Sequence, residues 1–165
     1  MKRRAFLLAL ITAIPFSGCG FQLRGASPLG FKSVYVEAPV TRYQRNVMAE
    51  RMRTLLEAAG AAVTDSPDKA EIIFKLGAEK RTKTILSLTG AGRVAEYRLQ
   101  MSLTYQAQTP AGKERLAETE IKFIRDMTYD DSLYTAKAAE EEFLYQRMDE
   151  DAAQQILRHL RHVTP

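Results

Sequence analysis

Few side chains in this sequence are spaced for covalent chemistry. The only histidines, His159 and His162, stand three apart. That spacing puts two imidazoles on one helical face and could supply two metal positions. No third ligand accompanies them, and at the end of a helical pattern they read as a solvated C-terminal cap. Asp130-Asp131 and the run Glu140–Glu142 offer carboxylates, but adjacent acids here read as the solvated start of a helix. Gly90-Ala91-Gly92 leads into a strand. A dinucleotide-binding glycine motif opens a helix instead, so these three residues predict a hairpin turn. The single cysteine, Cys19, excludes an internal disulfide, a cysteine-rich zinc site and an iron–sulfur cluster. No nucleophile, base and oxyanion donor come together, so the expectation is a protein that is not an enzyme and holds no metal.

The chemistry that the chain does carry is electrostatic. From Lys75 to Arg125 ten cations face five acids, a net charge of +5. From Asp126 to Leu157 nine acids face only Lys137 and Arg147, a net of −7. A basic middle followed by an acidic end predicts either a polyanion-binding surface or charges that merely solubilise an exposed face. Lys137, a cation among acids, reads either as the i, i+4 partner of Glu141 or as a contact to a ligand.

The N-terminus decides which polyanions are within reach. Lys2, Arg3 and Arg4 precede the apolar run Ala5–Phe16, and Ser17, Gly18 and Cys19 follow. A cationic start, a short apolar stretch and small residues are the layout of a secretory signal peptide. The run falls short of the roughly 20 apolar residues a membrane-spanning helix needs. Phe16-Ser17-Gly18-Cys19 resembles the bacterial lipobox, with Phe16 where Leu is usual. Residues 1–18 are therefore expected to be a lipoprotein signal peptide, cleaved so that Cys19 becomes an acylated N-terminus and carries a covalent lipid, the only attached group expected. Anchoring that takes more than one acyl chain is firm, and by resemblance to sorted lipoproteins, in which Asp after the cysteine favours the inner membrane, Gly20 implies the outer membrane. Removing Lys2, Arg3 and Arg4 from the 24 cations leaves 21 against 20 acids, so the mature chain is almost neutral. Nucleic acid is out of reach of such a protein. Phosphorylated lipids and lipopolysaccharide are not.

The elements that position these charges make one domain. The chain has 165 residues, 45% hydrophobic and 27% charged, ordinary for a single globular unit. Residues 19–30 read as a tether and 31–165 as the folded domain. Ser33–Glu37 is β-branched and short, a strand. Met48, Met52, Leu55, Leu56 and Ala59 make a helical stripe in 42–59, with Thr41 as N-cap and Gly60 as the stop. Ile72, Phe74 and Leu76 alternate, and Thr84–Leu88 is a second apolar stretch. Tyr97, Leu99, Met101, Leu103 and Tyr105 face one way while Glu96, Arg98, Gln100, Ser102 and Thr104 face the other, a half-buried strand. Thr109-Pro110-Ala111-Gly112 turns the chain, and Ala117–Phe123 returns. Leu144, Met148, Ala152, Ile156 and Leu160 recur every four residues in a final helix over 133–162. The sum is an α+β domain, a two-layer α/β sandwich with a roughly four-stranded antiparallel sheet and two helices on one face.

Cys19-Gly20-Phe21-Gln22-Leu23-Arg24-Gly25, then Arg93-Val94-Ala95-Glu96-Tyr97, then Tyr129-Asp130-Asp131 through Ala136-Lys137, occur in that order. The series resembles the lipopolysaccharide-assembly lipoprotein family LptE over essentially the whole chain. The resemblance implies a partner, the LptD-type outer-membrane β-barrel, whose lumen such proteins plug and whose folding they assist. It also implies lipopolysaccharide binding at two basic positions. Lys137 matches the one at the start of the last helix. Arg93 is the arginine of the turn before the Ala-Glu-Tyr strand, displaced by a few residues from the family position, which Gly90 or Ala91 occupies. Lys83 and Arg81 are the neighbouring cations that would support it. Two other classes share parts of this pattern. An auxiliary lipoprotein of an envelope ABC-type lipid transporter shares the lipobox and the small domain. A lipid-anchored periplasmic enzyme is disfavoured by the missing catalytic set.

Overall fold

The structure, a computed structural model, describes residues 28–39 and 46–165. The lipobox and the acylation expected at Cys19 lie outside the described residues, as does Thr41. The elements are β1 (Ser33–Glu37), α1 (Val47–Ala58), β2 (Ala62–Val63), β3 (Ile72–Leu76), β4 (Lys80–Leu88), β5 (Val94–Gln108), β6 (Glu114–Thr128) and α2 (Tyr134–Leu160). Short 3-10 turns at Pro67–Lys69 and Asp131–Leu133 lead into β3 and α2.

The α+β class and the two helices match expectation, but the sheet is mixed, with six strands. β1 pairs in parallel with both β2 and β3, while β3, β4 and β6 all pair antiparallel with β5. The parallel pairs follow from the connection: α1 crosses between β1 and β2, and a helical crossover returns the chain in its original direction. β3 and β4 share one edge of β5. Leu76 sits opposite Tyr105 and Lys80 opposite Ser102, so the two behave as one long strand interrupted at residues 77–79. β5 and β6 pair from Glu96–Thr128 to Gln108–Glu114. Fifteen residues at the usual rise give each a length of about 50 Å.

The alternation read in β5 is what the fold uses. Leu99, Met101, Leu103 and Tyr105 are buried beneath the helices, and Arg98, Gln100 and Thr104 are less covered on the opposite side. Ile73 is buried as well as Ile72 and Phe74, because β3 is flanked by β1 and β5 and has no free edge. Each large apolar side chain taken from water contributes roughly 1.5–3 kcal/mol, which makes this layer the main source of cohesion. α2 supplies Met148, Ala152, Ile156 and Leu160 to it, the stripe spaced by four. α1 supplies Met48, Met52 and Leu56, so its methionines fill the core. The cap of α1 is Asn46, whose side chain accepts from the Ala49 N–H at 3.0 Å. Among the described residues, no helix is long and apolar enough to cross a membrane.

Candidate functional site: the charged seam and its aromatic end

The two long hairpins end in the same turn. Thr89-Gly90-Ala91-Gly92-Arg93 and Thr109-Pro110-Ala111-Gly112-Lys113 each return the threonine N–H to the carbonyl of the cation four residues on, at 2.7 and 2.9 Å. Each threonine Oγ1 accepts from that cation's N–H at 3.2 Å. Gly92 and Gly112 take φ of +76° and +81°, a region that L side chains rarely adopt, which is why both turns carry glycine there. Gly90-Ala91-Gly92 is thus a hairpin turn, as read. The construction places Arg93 at one end of the sheet and Lys113 at the other.

The helix-facing side of β4 and β6 does not present free charge. Arg81 Nη2 meets Asp149 Oδ2 at 2.9 Å and its Nε meets Glu79. Lys83 Nζ meets Glu141 Oε2 at 2.6 Å, and Arg125 Nη2 meets Asp151 Oδ2 at 2.8 Å. Much of the acidic run of α2 therefore neutralises the basic sheet across a seam, and Glu141 is part of that packing, not a solvated acid. Lys137 takes Glu140 at 2.8 Å and Thr128 Oγ1 at 3.1 Å. Its acidic partner is one residue nearer than expected, because Lys83 already holds Glu141.

Two groups in the seam are perturbed. Asp149 is buried, with a side chain 7% exposed, and its Oδ1 has no partner among the described residues. Burial, and then the nearby Glu79 carboxylate, push its pKa up to about 6 against the pull of Arg81 and Arg51. Desolvation opposes the charge on Lys83, but its hydrogen bond to Glu141 and the attraction of that carboxylate outweigh it and raise the ammonium pKa. Lys83 also lies over the Tyr97 ring, 4.2 Å from the centroid, and Tyr97 meets Tyr129 edge-on at 5.0 Å. A cation over an aromatic face gains a further 0.5–2 kcal/mol, about the range for partly exposed sites.

Past Lys83 lies the end of the domain where β4, β5, β6 and α2 converge. The Tyr129 N–H donates to the Ala95 carbonyl at 2.8 Å, which fastens the start of α2 to the turn that carries Arg93. Asp130 accepts from both the N–H and the hydroxyl of Ser132. These bonds, with the attraction of Arg93 and Lys137, hold its pKa below the usual carboxylate range. Arg93 and Lys137, 44 positions apart in sequence, therefore act on one carboxylate. Arg81 lies farther along the seam, two residues beyond Lys83 and engaged by two acids.

Sequence reasoning missed three contributors. Asp149 stands four residues after Tyr145 and four before Ala153, a carboxylate on an apolar file, and that spacing was the available signal. Tyr97 and Tyr129 gave none, because one fell on the core face of a strand and the other after its end. His159 is no solvated cap either: its Nδ1 is hydrogen-bonded to the Tyr105 hydroxyl beneath α2. His162 is exposed. Among the described residues no three His, Cys, Asp or Glu side chains are grouped to hold a metal.

The structure thus combines a sheet under one helical layer, a neutralised seam and an aromatic, cation-bearing end that offers fixed charges and ring faces. The LptE family model, described as lipopolysaccharide-assembly, matches residues 31–160. The chain belongs to the LptE family. It is 29% identical to the LPS-assembly lipoprotein LptE of Pectobacterium atrosepticum over 97% of this chain and 86% of that one. With the LPS-assembly lipoprotein LptE of Photorhabdus laumondii the identity is 27%, over 97% and 87%. The solution structure of lipoprotein B from Nitrosomonas europaea superimposes with a TM-score of 0.72 at 35% identity, covering 84% of this chain and 88% of that one. The crystal structure of rare lipoprotein B from Shewanella oneidensis does so at 0.67 and 25%, covering 78% and 93%.

Proposed function

We propose that this chain is an outer-membrane lipoprotein, anchored through lipid on Cys19, that plugs an LptD-type β-barrel, assists its assembly and binds lipopolysaccharide on its way to the cell surface. The observation that carries the reading is the tie between the start of α2, which bears Lys137, and the turn of Arg93, made by the Tyr129 N–H on the Ala95 carbonyl at 2.8 Å. A phosphate entering there would meet both cations, and charge-assisted bonds to phosphate are roughly twice as strong as neutral ones. Lys83, over the Tyr97 ring and held by Glu141, and Arg81, held by Asp149 and Glu79, contribute through the field and less by contact.

The opposite side of the sheet supports the barrel partner. Arg98 there forms a two-pronged pair with Asp126, at 2.8 and 2.9 Å, beside Gln100, Thr104, Glu120 and Lys122. A polar face about 50 Å long suits the wet lumen of a large barrel.

Arg93→Asp combined with Lys137→Asp tests the reading. Lipopolysaccharide binding is expected to fall while the barrel complex survives, and added salt is expected to weaken the wild-type interaction. Unchanged lipopolysaccharide binding would return both cations to the role of solubilising charges. A crosslinker at exposed Lys122 is expected to capture the barrel. Capture of inner-membrane proteins alone would replace this reading with that of a transporter auxiliary.

A further inference from the structure

The cations of the seam are engaged by acids, but a second group at the other end of the sheet is not. Among the described residues, Lys113, Arg115, Arg158 and Arg161 are in no ion pair. Lys113 ends the turn into β6, and Arg115 follows where Gln108 pairs with Glu114 and Ala107 with Leu116. His159, bonded to Tyr105, sets the last turn of α2 over this end of β5. Arg158 stands two helical turns after Asp151, whose carboxylate meets Arg125 of β6, so it continues the file of α2 that faces β6. Arg161 caps the helix one turn later. The helix end does not use these side chains: Leu157, His159 and Leu160 carbonyls accept the backbone N–H groups of Arg161, His162 and Val163 at 3.1–3.2 Å. Arg115 and Arg161 each bury an Nε–H with no acceptor among the described residues. An orphaned guanidinium N–H of this kind takes an acceptor that the chain does not supply. Acids at this end lie elsewhere. None occurs from Ala152 to Pro165. Glu114, paired with Gln108, and Glu118, beside Gln106 and Lys75, belong to the sheet face away from the helices.

The route to the anchor leaves the domain beside these cations. The first described residues are Pro28 and Leu29, and Gly30 runs so close to the end of α2 that an added Cβ would stand 2.4 Å from the Val163 carbonyl oxygen. Phe31 is buried in the same core as Leu160 and Val163. Cys19 precedes Pro28 by nine residues, a reach of about 30 Å at full extension. A lipid on Cys19 therefore keeps this end of the domain close to its leaflet, where the headgroup phosphates are at high effective concentration. A soluble anion has no such advantage. The cations are also spread over a turn and a helix end, which suits an extended charged surface better than one small ligand. Near an anionic membrane each lysine or arginine is worth about fivefold in binding.

We propose that Lys113, Arg115, Arg158 and Arg161 rest on the phosphates of anionic phospholipids in the leaflet that holds the Cys19 lipid, so that the lipid anchors the chain and the cations orient it. This contact rests on the lipoprotein reading given above and adds a basic patch to the acyl anchor as a second membrane signal. With this end on the headgroups, β5 and β6 direct the Arg93 turn away from the leaflet, about 50 Å from the Lys113 turn.

Vesicle binding separates this surface from the anchor. The unacylated mature chain, Cys19→Ser, is expected to sediment with phosphatidylglycerol vesicles at low salt but not with phosphatidylcholine vesicles, and added salt is expected to release it. Lys113→Gln with Arg158→Gln, both exposed, is expected to weaken that binding roughly twenty-five-fold. Lys80→Gln with Lys122→Gln removes the same charge from exposed positions elsewhere and is expected to leave it unchanged. In the acylated chain Cys19 offers no thiol, so a cysteine in place of exposed Thr164 or Ala91 takes a single fluorescent label. Acrylamide is expected to quench the Thr164 label less on phosphatidylglycerol than on phosphatidylcholine vesicles, and the Ala91 label equally on both. Equal weakening by the two double variants, equal binding to the two vesicles, or a Thr164 label quenched alike on both overturns the basic contact and leaves the anchor standing. An acylated chain that washes off phosphatidylcholine vesicles overturns the anchor, while the unacylated chain still decides the contact.

Discussion

Asp149→Asn isolates the least comfortable group in the seam. A carboxylate taken almost wholly out of water, with one oxygen on Arg81 and the other without a partner among the described residues, is destabilised whenever it is charged. A pKa lifted from 3.8 to about 6 means that the folded protein keeps this proton over a range in which the unfolded chain has lost it. Stability from Asp149 is therefore greatest below pH 4, declines as the pH rises from about 4 to about 6, and is level above that. At 1.36 kcal/mol per pH unit, the loss on ionisation is on the order of 3 kcal/mol. Asparagine keeps the shape and an acceptor for Arg81 but does not titrate. The assay is urea unfolding of both proteins at pH 4, 5, 6 and 7, with the difference between them taken at each pH. That subtraction matters because other carboxylates act in the opposite sense. Asp126, held down by its hydrogen bond to Arg98, and Asp130, held down by Ser132, contribute stability that is lost as the pH falls. The variant is expected to gain roughly 2 kcal/mol relative to wild type between pH 4 and pH 7, most of the full span, whatever offset the weaker bond to Arg81 introduces. A difference that stays flat, or wild type gaining on the variant as pH rises, would refute the reasoning and show that Arg81 and Arg51 outweigh the burial.

Gly77 packs against β5 so closely that an added Cβ would stand 2.1 Å from Thr104 Oγ1 and 3.2 Å from the Thr104 carbonyl. Gly77→Ala is expected to cost about 1–3 kcal/mol by overpacking, and Thr104→Ala in the same chain should return part of it, both read from urea midpoints. Mass spectrometry of the mature protein is expected to find an acylated N-terminal Cys19, with Cys19→Ser mislocalised but folded. An intact or unacylated N-terminus would remove the anchor from the account.

Legibility in the sequence followed the range of the interactions involved. β5 was readable because its alternation is set by one buried face, and α2 because five apolar residues at intervals of four need no partner to be recognised. The parallel pairing of β1 was not readable. β2 has two residues and no period of its own, and its direction comes from the crossover through α1. The cap of α1 was placed five residues early because Thr41 and Asn46 are both good caps, and the first apolar contacts of the helix in the core, made by Met48 and Ala49, favour the later start. For Lys137 the sequence offered Glu140 and Glu141 at equally good helical spacings. The choice was made by Lys83, 54 positions earlier, which reaches Glu141 from another layer.

The same point governs how the charge of the chain should be understood. A stretch of +5 followed by one of −7 suggests a basic surface and an acidic surface. Folding sets β4 and β6 beneath α2, so Arg81, Lys83 and Arg125 spend their charge on Asp149, Glu141 and Asp151. Segregation along the sequence has become neutralisation in space. The exposed pair Arg125–Asp151 adds about 0–1 kcal/mol, and the buried Asp149 is destabilised by its own charge, so the larger effect of the seam is to fix the register of α2 over the sheet. That register, with the Tyr129 N–H on the Ala95 carbonyl at 2.8 Å, brings the start of α2 to the turn bearing Arg93. The basic residues left for a partner are therefore set less by their total than by which of them the acids of α2 already engage, Lys137 by Glu140 among them.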